Sequence, residues 1–511
     1  MPTDFAEREG SQDAAAGDAF PTIGFVSACL FLAAYLFLAV VTRAALPWSL
    51  LPDEAEQAFL SQFFLLGYGP QPPLYDWIQA AIVSFGGLSM WTLSGTKFGM
   101  LFLCYVFYGL AAREVLGDRR LAAFAMLTLL TLPQVSYMPQ QDLTHTVAVL
   151  VATSLFLYAA FRTLSRPSVW SYLLLGIAAG LGFISKYNFA ILPVAIFVAV
   201  LGDRGWRPRL MDRRILLTFA TGLLIVLPHT LWLLGHFDLA SAGTLKKMKP
   251  EHGIAFMPPA IMGLISLLQA ILAFCALTLV IFFAVFRREG LAALRAGDRY
   301  TRLMERMMVV SLVLVALVVV ATGATHLTER WLNPFLLALP LYLFAKLKAA
   351  GLDMGPGLRR LWPVVPIIMI VTLLPLGGQV LGARYINSYN WANAPFRELV
   401  EKMVSERRPS LVLADSVYVG GNVRLKVPAD LPVRTAAVIA PGDDLGDAVL
   451  AVWRPPRGTA DLTVPADIAG VLEAAGLATS GPQLAEAPYY FGKADDRYRL
   501  GYAWYRQSAA E

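Results

Sequence analysis

Leu51-Pro52-Asp53-Glu54-Ala55-Glu56-Gln57 and Gly67-Tyr68-Gly69-Pro70-Gln71-Pro72-Pro73-Leu74-Tyr75-Asp76-Trp77 follow closely on the apolar run FVSACLFLAAYLFLAVV at 25–41. The first run is long enough to begin a membrane span. The two pieces after it gather acidic side chains where hydrocarbon meets water. Prolines stiffen the second piece, and Tyr68, Tyr75 and Trp77 supply aromatic faces suited to an interface or a sugar ring. Such a setting suits chemistry on a substrate that hangs from a lipid.

Working outward, the whole chain reads as membrane-embedded. Of its 511 residues 57% are hydrophobic and only 15% charged, and the mean hydropathy is +0.58, well outside the soluble norm of about a quarter charged. Apolar runs recur near 96–112, 121–137, 146–161, 169–184, 187–202, 215–234, 259–286, 307–323, 333–345 and 361–382. With the first run they predict about 11 transmembrane helices, since the alternation of a membrane barrel is missing. Residues 1–20 read as a polar disordered tail, 21–383 as the membrane domain with a large first outward loop at 43–94, and 384–511 as a soluble outward α/β domain. In that domain a helix is expected at 395–407 and another near 466–475. Strands are expected at 411–414, 436–439, 449–453 and 498–505, and Gly420-Gly421-Asn422 reads as a turn.

The net charge of +6 does not point to nucleic acid, because arginines fall in alternate short loops (Arg119 and Arg120, Arg204 to Arg214, Arg287 to Arg302, Arg359 and Arg360), as expected of cytoplasmic loops. The opposite set of loops then carries Asp53, Asp142, Lys186, Lys246, Lys247 and Arg330. Cys29, Cys104 and Cys275 lie inside apolar runs and read as small core residues. No nucleotide-binding fingerprint occurs, so no nucleotide is expected.

Within a helix starting after Pro52, Asp53 and Glu56 share a face at i and i+3 while Glu54 points elsewhere. A carboxylate there can take a proton from an attacking hydroxyl; acids that merely favour a helix start are the bland alternative. Asp142 either joins Asp53 around a divalent cation, orients an acceptor, or caps the next span. Lys186 suits a phosphate or snorkels to the interface, and Arg330 suits a phosphate or carboxylate, with Glu329 as a competing partner. Lys246 and Lys247 suit an anionic lipid or glycolipid. His145, His229 and His236 read as structural.

These residues together resemble the GT-C glycosyltransferases: an Asp-Glu pair in the first outward loop, an Asp in the second, many spans and a soluble C-terminal domain. DEAEQ at 53–57, GYGPQPPLY at 67–75, SKYN at 185–188 and ERWL at 329–332 resemble the bacterial aminoarabinose transferases and, more closely, the rhizobial lipopolysaccharide galacturonosyltransferases. The resemblance implies an enzyme that moves a sugar, galacturonic acid or another pentose or hexose, from a polyprenyl-phosphate donor. The implied acceptor is lipid A, core or another envelope glycolipid at the periplasmic face of the bacterial inner membrane. It implies Asp53 as base with Glu54 and Asp142 as further catalytic acids, Lys186 and Arg330 on the donor phosphate, and Glu56, Tyr68, Gln71, Tyr75, Lys246 and Lys247 in the substrate loops. The chain departs from protein O-mannosyltransferases in lacking a sugar-binding insertion between spans. A secondary transporter and a noncatalytic lipid-binding assembly protein are the rival classes; charges gathered at one face rather than at midplane argue against passage.

Overall fold

A computed structural model describes residues 23–240, 257–440, 442–456 and 462–507. The chain is a bundle of apolar helices carrying a small mixed sheet. Among the described residues seven helices are long and apolar enough to cross a membrane: Phe25–Ala45 (α1), Met90–Leu116, Thr144–Ser165, Ile215–Gly235, Pro259–Ala293, Arg299–Thr322 and Gly355–Leu381. Their burial differs sharply. Thr144–Ser165 is 83% buried over its apolar window and runs through the bundle, whereas Ile215–Gly235 is 6% buried and shows Leu216, Phe219, Leu223, Leu224 and Leu231 outward. A helix that is apolar on its outer face needs lipid around it. The protein is therefore a multi-pass membrane protein.

The expected count of about eleven spans is not confirmed among the described residues. Length and composition qualify seven, or nine if each of two bent pairs counts as one. The run expected at 121–137 breaks by 86° between Arg119–Thr131 and Pro133–Gln141, and the run at 333–345 bends by 41° between Glu329–Leu336 and Leu339–Ala349. Proline at the start of the second arm explains the first break: it has no N–H to continue the preceding turn. Val169–Phe183 and Tyr187–Leu201 are apolar but short.

Between α1 and Met90–Leu116 lie two shorter helices, Pro52–Leu60 (α2) and Leu74–Gly86 (α3). Pro52 presets the first turn of α2, and Asp53 and Glu54 complement its positive end.

The strands lie between Leu411 and Gln507: β1 (Leu411–Ala414), β2 (Val433–Thr435), β3 (Ala448–Trp453), β4 (Leu477–Thr479), β5 (Gln483–Pro488) and β6 (Arg497–Gln507). β1 pairs in parallel with β2 and β3, while β6 runs antiparallel to β3, β4 and β5. Alternation along β6 sends Tyr498, Leu500, Tyr502 and Trp504 to one face and Ala503 and Tyr505 to the other. The helix Phe396–Glu406 buries Phe396, Leu399, Val400 and Met403 on the first face, and Ala466–Ala474 covers the second with Ile468 and Leu472.

Two expectations for this part are corrected. Ala436–Val438 is a 3-10 turn, not a strand; the strand ends at Thr435. Gly420-Gly421-Asn422 lies inside the helix Val417–Arg424 rather than in a turn. The glycines are there for close approach. A Cβ on Gly421 would sit 1.9 Å from the Ala55 carbonyl oxygen, so only glycine lets this helix press against α2. Asn422 Oδ1 accepts the Leu50 N–H at 2.8 Å, and Phe59 of α2 is part of the core beneath the sheet. The sheet unit thus grips the helix that carries the acidic motif.

Candidate active site

The first turn of α2 meets the start of Thr144–Ser165 head to head. Asp53 Oδ2 accepts the Thr144 N–H at 3.1 Å, and Asp142 Oδ2 accepts the Asp53 N–H at 3.1 Å. Each aspartate caps the other's helix, satisfying N–H groups that have no partner inside a first turn. The residue between them, Leu143, adopts φ 73° and ψ 63°, a left-handed backbone that a side chain with a Cβ resists. The cross-caps hold it there. Burial, and then the negative charge of Asp53, push the Asp142 carboxyl well above the usual carboxylate range.

One turn on, the i, i+3 spacing puts Asp53 and Glu56 on a cavity of about 310 Å³, lined also by Pro70, Gln71, His145, Thr146, Lys186, Asn188 and Arg330. Its remaining wall is apolar: Ile191, Val315, Val318, Val319, Leu327 and Phe335. Lys186 Nζ donates to Thr146 Oγ1 at 3.3 Å. Asn188 Nδ2 donates to the Trp331 carbonyl at 2.7 Å, tying the Ser185 to Asn188 segment to the Glu329 to Leu332 segment. Arg330 forms no ion pair with Glu329, the competing partner considered above, or with any other acid among the described residues. The cavity therefore joins a polar end with carboxylates and cations to an apolar end.

Other expected site residues lie elsewhere. Glu54 is 3% exposed and points away from the cavity, where it meets Arg43 at 2.7 Å and Lys97 at 3.5 Å. Burial alone would raise its pKa, but these two cations hold it down at about 2. Tyr75 is buried, and the Tyr68 hydroxyl is spent between the Phe63 carbonyl and the Leu65 N–H; neither lines the cavity. Asp142 stands behind Asp53 rather than on the wall. Lys246 and Lys247 lie outside the described residues. As a cation site, Asp53 and Asp142 would offer one oxygen each beyond those already accepting backbone N–H groups. Asp142 Oδ1 is buried without a partner, but no set of three or more His, Cys, Asp or Glu converges among the described residues.

Comparison with known proteins now fits this geometry. The chain is 50% identical over 486 residues, 94% of its length and 97% of the relative's, to the lipopolysaccharide core galacturonosyltransferase RgtA of Rhizobium johnstonii. It is 44% identical to RgtB of the same organism over 93% of its length and 97% of the relative's. The chain belongs to the rhizobial lipopolysaccharide galacturonosyltransferase family. It is accordingly a GT-C glycosyltransferase. The dolichyl-phosphate-mannose-protein mannosyltransferase family matches residues 70–232. Among solved structures, ArnT from Cupriavidus metallidurans in the apo state aligns over 93% of this chain and 97% of its own, with a TM-score of 0.57 at 14% identity. The same enzyme bound to undecaprenyl phosphate aligns with a TM-score of 0.56, also at 14% identity and with the same coverage; both show a shared fold.

Three residues of this galacturonosyltransferase-family member escaped the reading of its sequence. Lys97 and Arg43 are each 1% exposed and neutralise Glu54; a lone lysine in an apolar run was the available signal, since such a charge needs a partner. Asp76 is 2% exposed, accepts from Gln57 Nε2 at 2.7 Å and lies 3.7 Å from His145 Nε2. Burial pushes its carboxyl up to about 8.

Proposed function

We propose that this glycosyltransferase moves galacturonic acid from a polyprenyl-phosphate donor to a lipid-anchored glycan, lipid A or core, at the periplasmic face of the bacterial inner membrane. One observation carries the reading: Asp53, Glu56, Lys186 and Arg330 share a single cavity whose other wall is hydrocarbon-like. A phosphate with a sugar on one side and a polyprenyl chain on the other matches both ends. Outside the cytoplasm a nucleotide sugar is not at hand, so the donor must come attached to a lipid.

The steps follow from the placement. Asp53, held by the Thr144 N–H through one oxygen, takes the proton of the acceptor hydroxyl. The hydroxyl oxygen then bonds to the anomeric carbon as the bond from that carbon to the phosphate oxygen breaks. The electron pair leaves with the lipid phosphate, whose added charge Lys186 and Arg330 stabilise. Attack opposite the leaving group inverts the anomeric centre. Glu56 and Gln71 line the same space and hydrogen-bond the sugar hydroxyls. The relatives, lipopolysaccharide core galacturonosyltransferases, favour galacturonic acid, and the ArnT neighbour bound to undecaprenyl phosphate favours a polyprenyl phosphate.

The test is Asp53→Asn assayed in membranes for glycolipid product by mass spectrometry. Loss of product at normal protein level supports Asp53 as base, and undiminished product removes it. The mass missing from lipid A and core of a strain lacking the gene identifies the sugar.

A further inference from the structure

A second cavity lies away from Asp53. About 680 Å³ in volume, it sits where the end of the last long helix meets the sheet unit. Its walls combine three features. Trp391, 41% exposed, presents an indole face and packs edge-on to Tyr418 with ring centres 4.6 Å apart. Tyr389 and Tyr489 stack at 4.3 Å, and Tyr489 meets Tyr498 edge to face. Arg454 lies 5.1 Å from the centre of the Trp391 ring and forms no ion pair among the described residues.

The other charges in the cleft are accounted for differently. Arg497 and Arg499 both face Glu486, at 3.8 and 3.4 Å. Asp496 accepts from the Tyr389 hydroxyl, and Asp495 is exposed at the rim. Among the described residues Arg454 is the cleft arginine that forms no ion pair, and it is seated on an aromatic face that fixes its plane. The acids suit hydroxyl donors, and Asn387, Ser388 and Asn390 supply further polar groups. Flat aromatic faces for C–H surfaces, hydroxyl acceptors and one oriented guanidinium are the recognition set of an acidic sugar. A bare apolar ligand would leave Arg454 without an anionic partner.

The cleft also has a direction. Asn390 lines it and a narrow gap shared with Leu51, Gln140 and Gln141, the residues that flank the Asp53 and Asp142 caps. Asp53 itself lines the cavity described above. We infer that this cleft binds an anionic oligosaccharide through Arg454, Trp391 and Tyr389, and so holds the acidic glycan of the acceptor while its hydroxyl reaches Asp53. The binding stands by itself; its role in delivering the acceptor rests on the reading of Asp53 given above.

The test uses the full-length protein in nanodiscs and calorimetric titration with trigalacturonate, its methyl ester and inorganic phosphate, repeated in nanodiscs with and without phosphatidylglycerol. Arg454→Gln should weaken trigalacturonate about tenfold or more and leave the methyl ester unchanged, since a charge-assisted bond is lost. Trp391→Ala should weaken both sugars. Arg454→Lys and Trp391→Phe, which keep charge and ring, should fall between variant and parent, with parental melting temperatures. Parental binding in both Arg454→Gln and Trp391→Ala overturns the inference. So does phosphate binding as tightly as trigalacturonate with no effect of Trp391→Ala, which makes the cleft a simple anion site, or loss of sugar binding when phosphatidylglycerol is present, which makes it a headgroup site. Asp53→Asn should bind trigalacturonate like the parent. Turnover surviving in Asp53→Asn defeats the proposed chemistry and leaves the cleft intact, whereas parental binding in the cleft variants defeats the cleft and leaves the chemistry.

Discussion

Glu54→Gln separates the structural role of Glu54 from the chemical role of its neighbour Asp53. Arg43 Nη2 and Nε reach the two Glu54 oxygens at 2.7 and 3.2 Å, Lys97 lies at 3.5 Å, and the Leu51 N–H donates at 3.2 Å. All three charged side chains are 3% exposed or less. Glutamine keeps the shape but strands two buried cations. Breaking one partner out of a buried ion pair costs about 3–5 kcal/mol. The depressed pKa gives a consistent figure: a fall from 4.5 to about 2 corresponds to roughly 3 kcal/mol. Against a total stability of about 5–15 kcal/mol this is a large fraction.

The sign is that of a carboxylate held below its unfolded value. Its contribution is complete above the unfolded pKa of 4.5 and is lost as pH falls through about 2. Between pH 8 and pH 5 the penalty should therefore stay constant. The measurement is thermal unfolding in detergent, following tryptophan fluorescence, for the parent, Glu54→Gln and Asp53→Asn. Asp53→Asn keeps a side-chain acceptor for the Thr144 N–H and should fall within about 1 kcal/mol of the parent while losing turnover. Parental stability in Glu54→Gln with lost turnover would refute the structural role assigned to Glu54. Adding Lys97→Met to Glu54→Gln removes one stranded cation and should restore part of the loss.

Lys186→Met and Arg330→Gln should each lower kcat about 10²-fold by removing a group that stabilises the leaving phosphate; a change confined to KM would place them in ground-state binding only, as kinetics with a defined lipid-linked donor can show. Gly421→Ala forces a methyl group into the Ala55 carbonyl 1.9 Å away, so a loss of about 1–3 kcal/mol is expected together with reduced turnover as α2 shifts; unchanged melting and kinetics would free α2 from the sheet unit. Asp76, raised to about 8 by burial, contributes stability that is complete below the unfolded pKa of 3.8 and is lost as pH rises through about 8. Melting temperature should accordingly fall from pH 6 to pH 9 in the parent more steeply than in Asp76→Asn, and equal slopes would refute the buried neutral acid.

The sequence alone determined the membrane class, because apolar runs of span length can bury their backbone polar groups only as helices. It also placed Asp53 and Glu56 on one face and Glu54 off it, since a 3.6-residue period fixes relative direction within a helix whatever surrounds it. The grouping of Lys186 and Arg330 with Asp53 was legible as a shared set of loops. What the period cannot say is what each face meets. Only the tertiary structure decided that Glu54 belongs to Arg43 and Lys97, that Asp142 caps α2 from behind, and that Tyr68 and Tyr75 spend themselves on packing and backbone bonds. It turned Gly420-Gly421 from an apparent turn into the flat face of a helix pressed on α2, and it broke one expected span by 86°. Most of these depend on partners distant in the chain or on close contacts between separate elements, and local pattern carries no record of them.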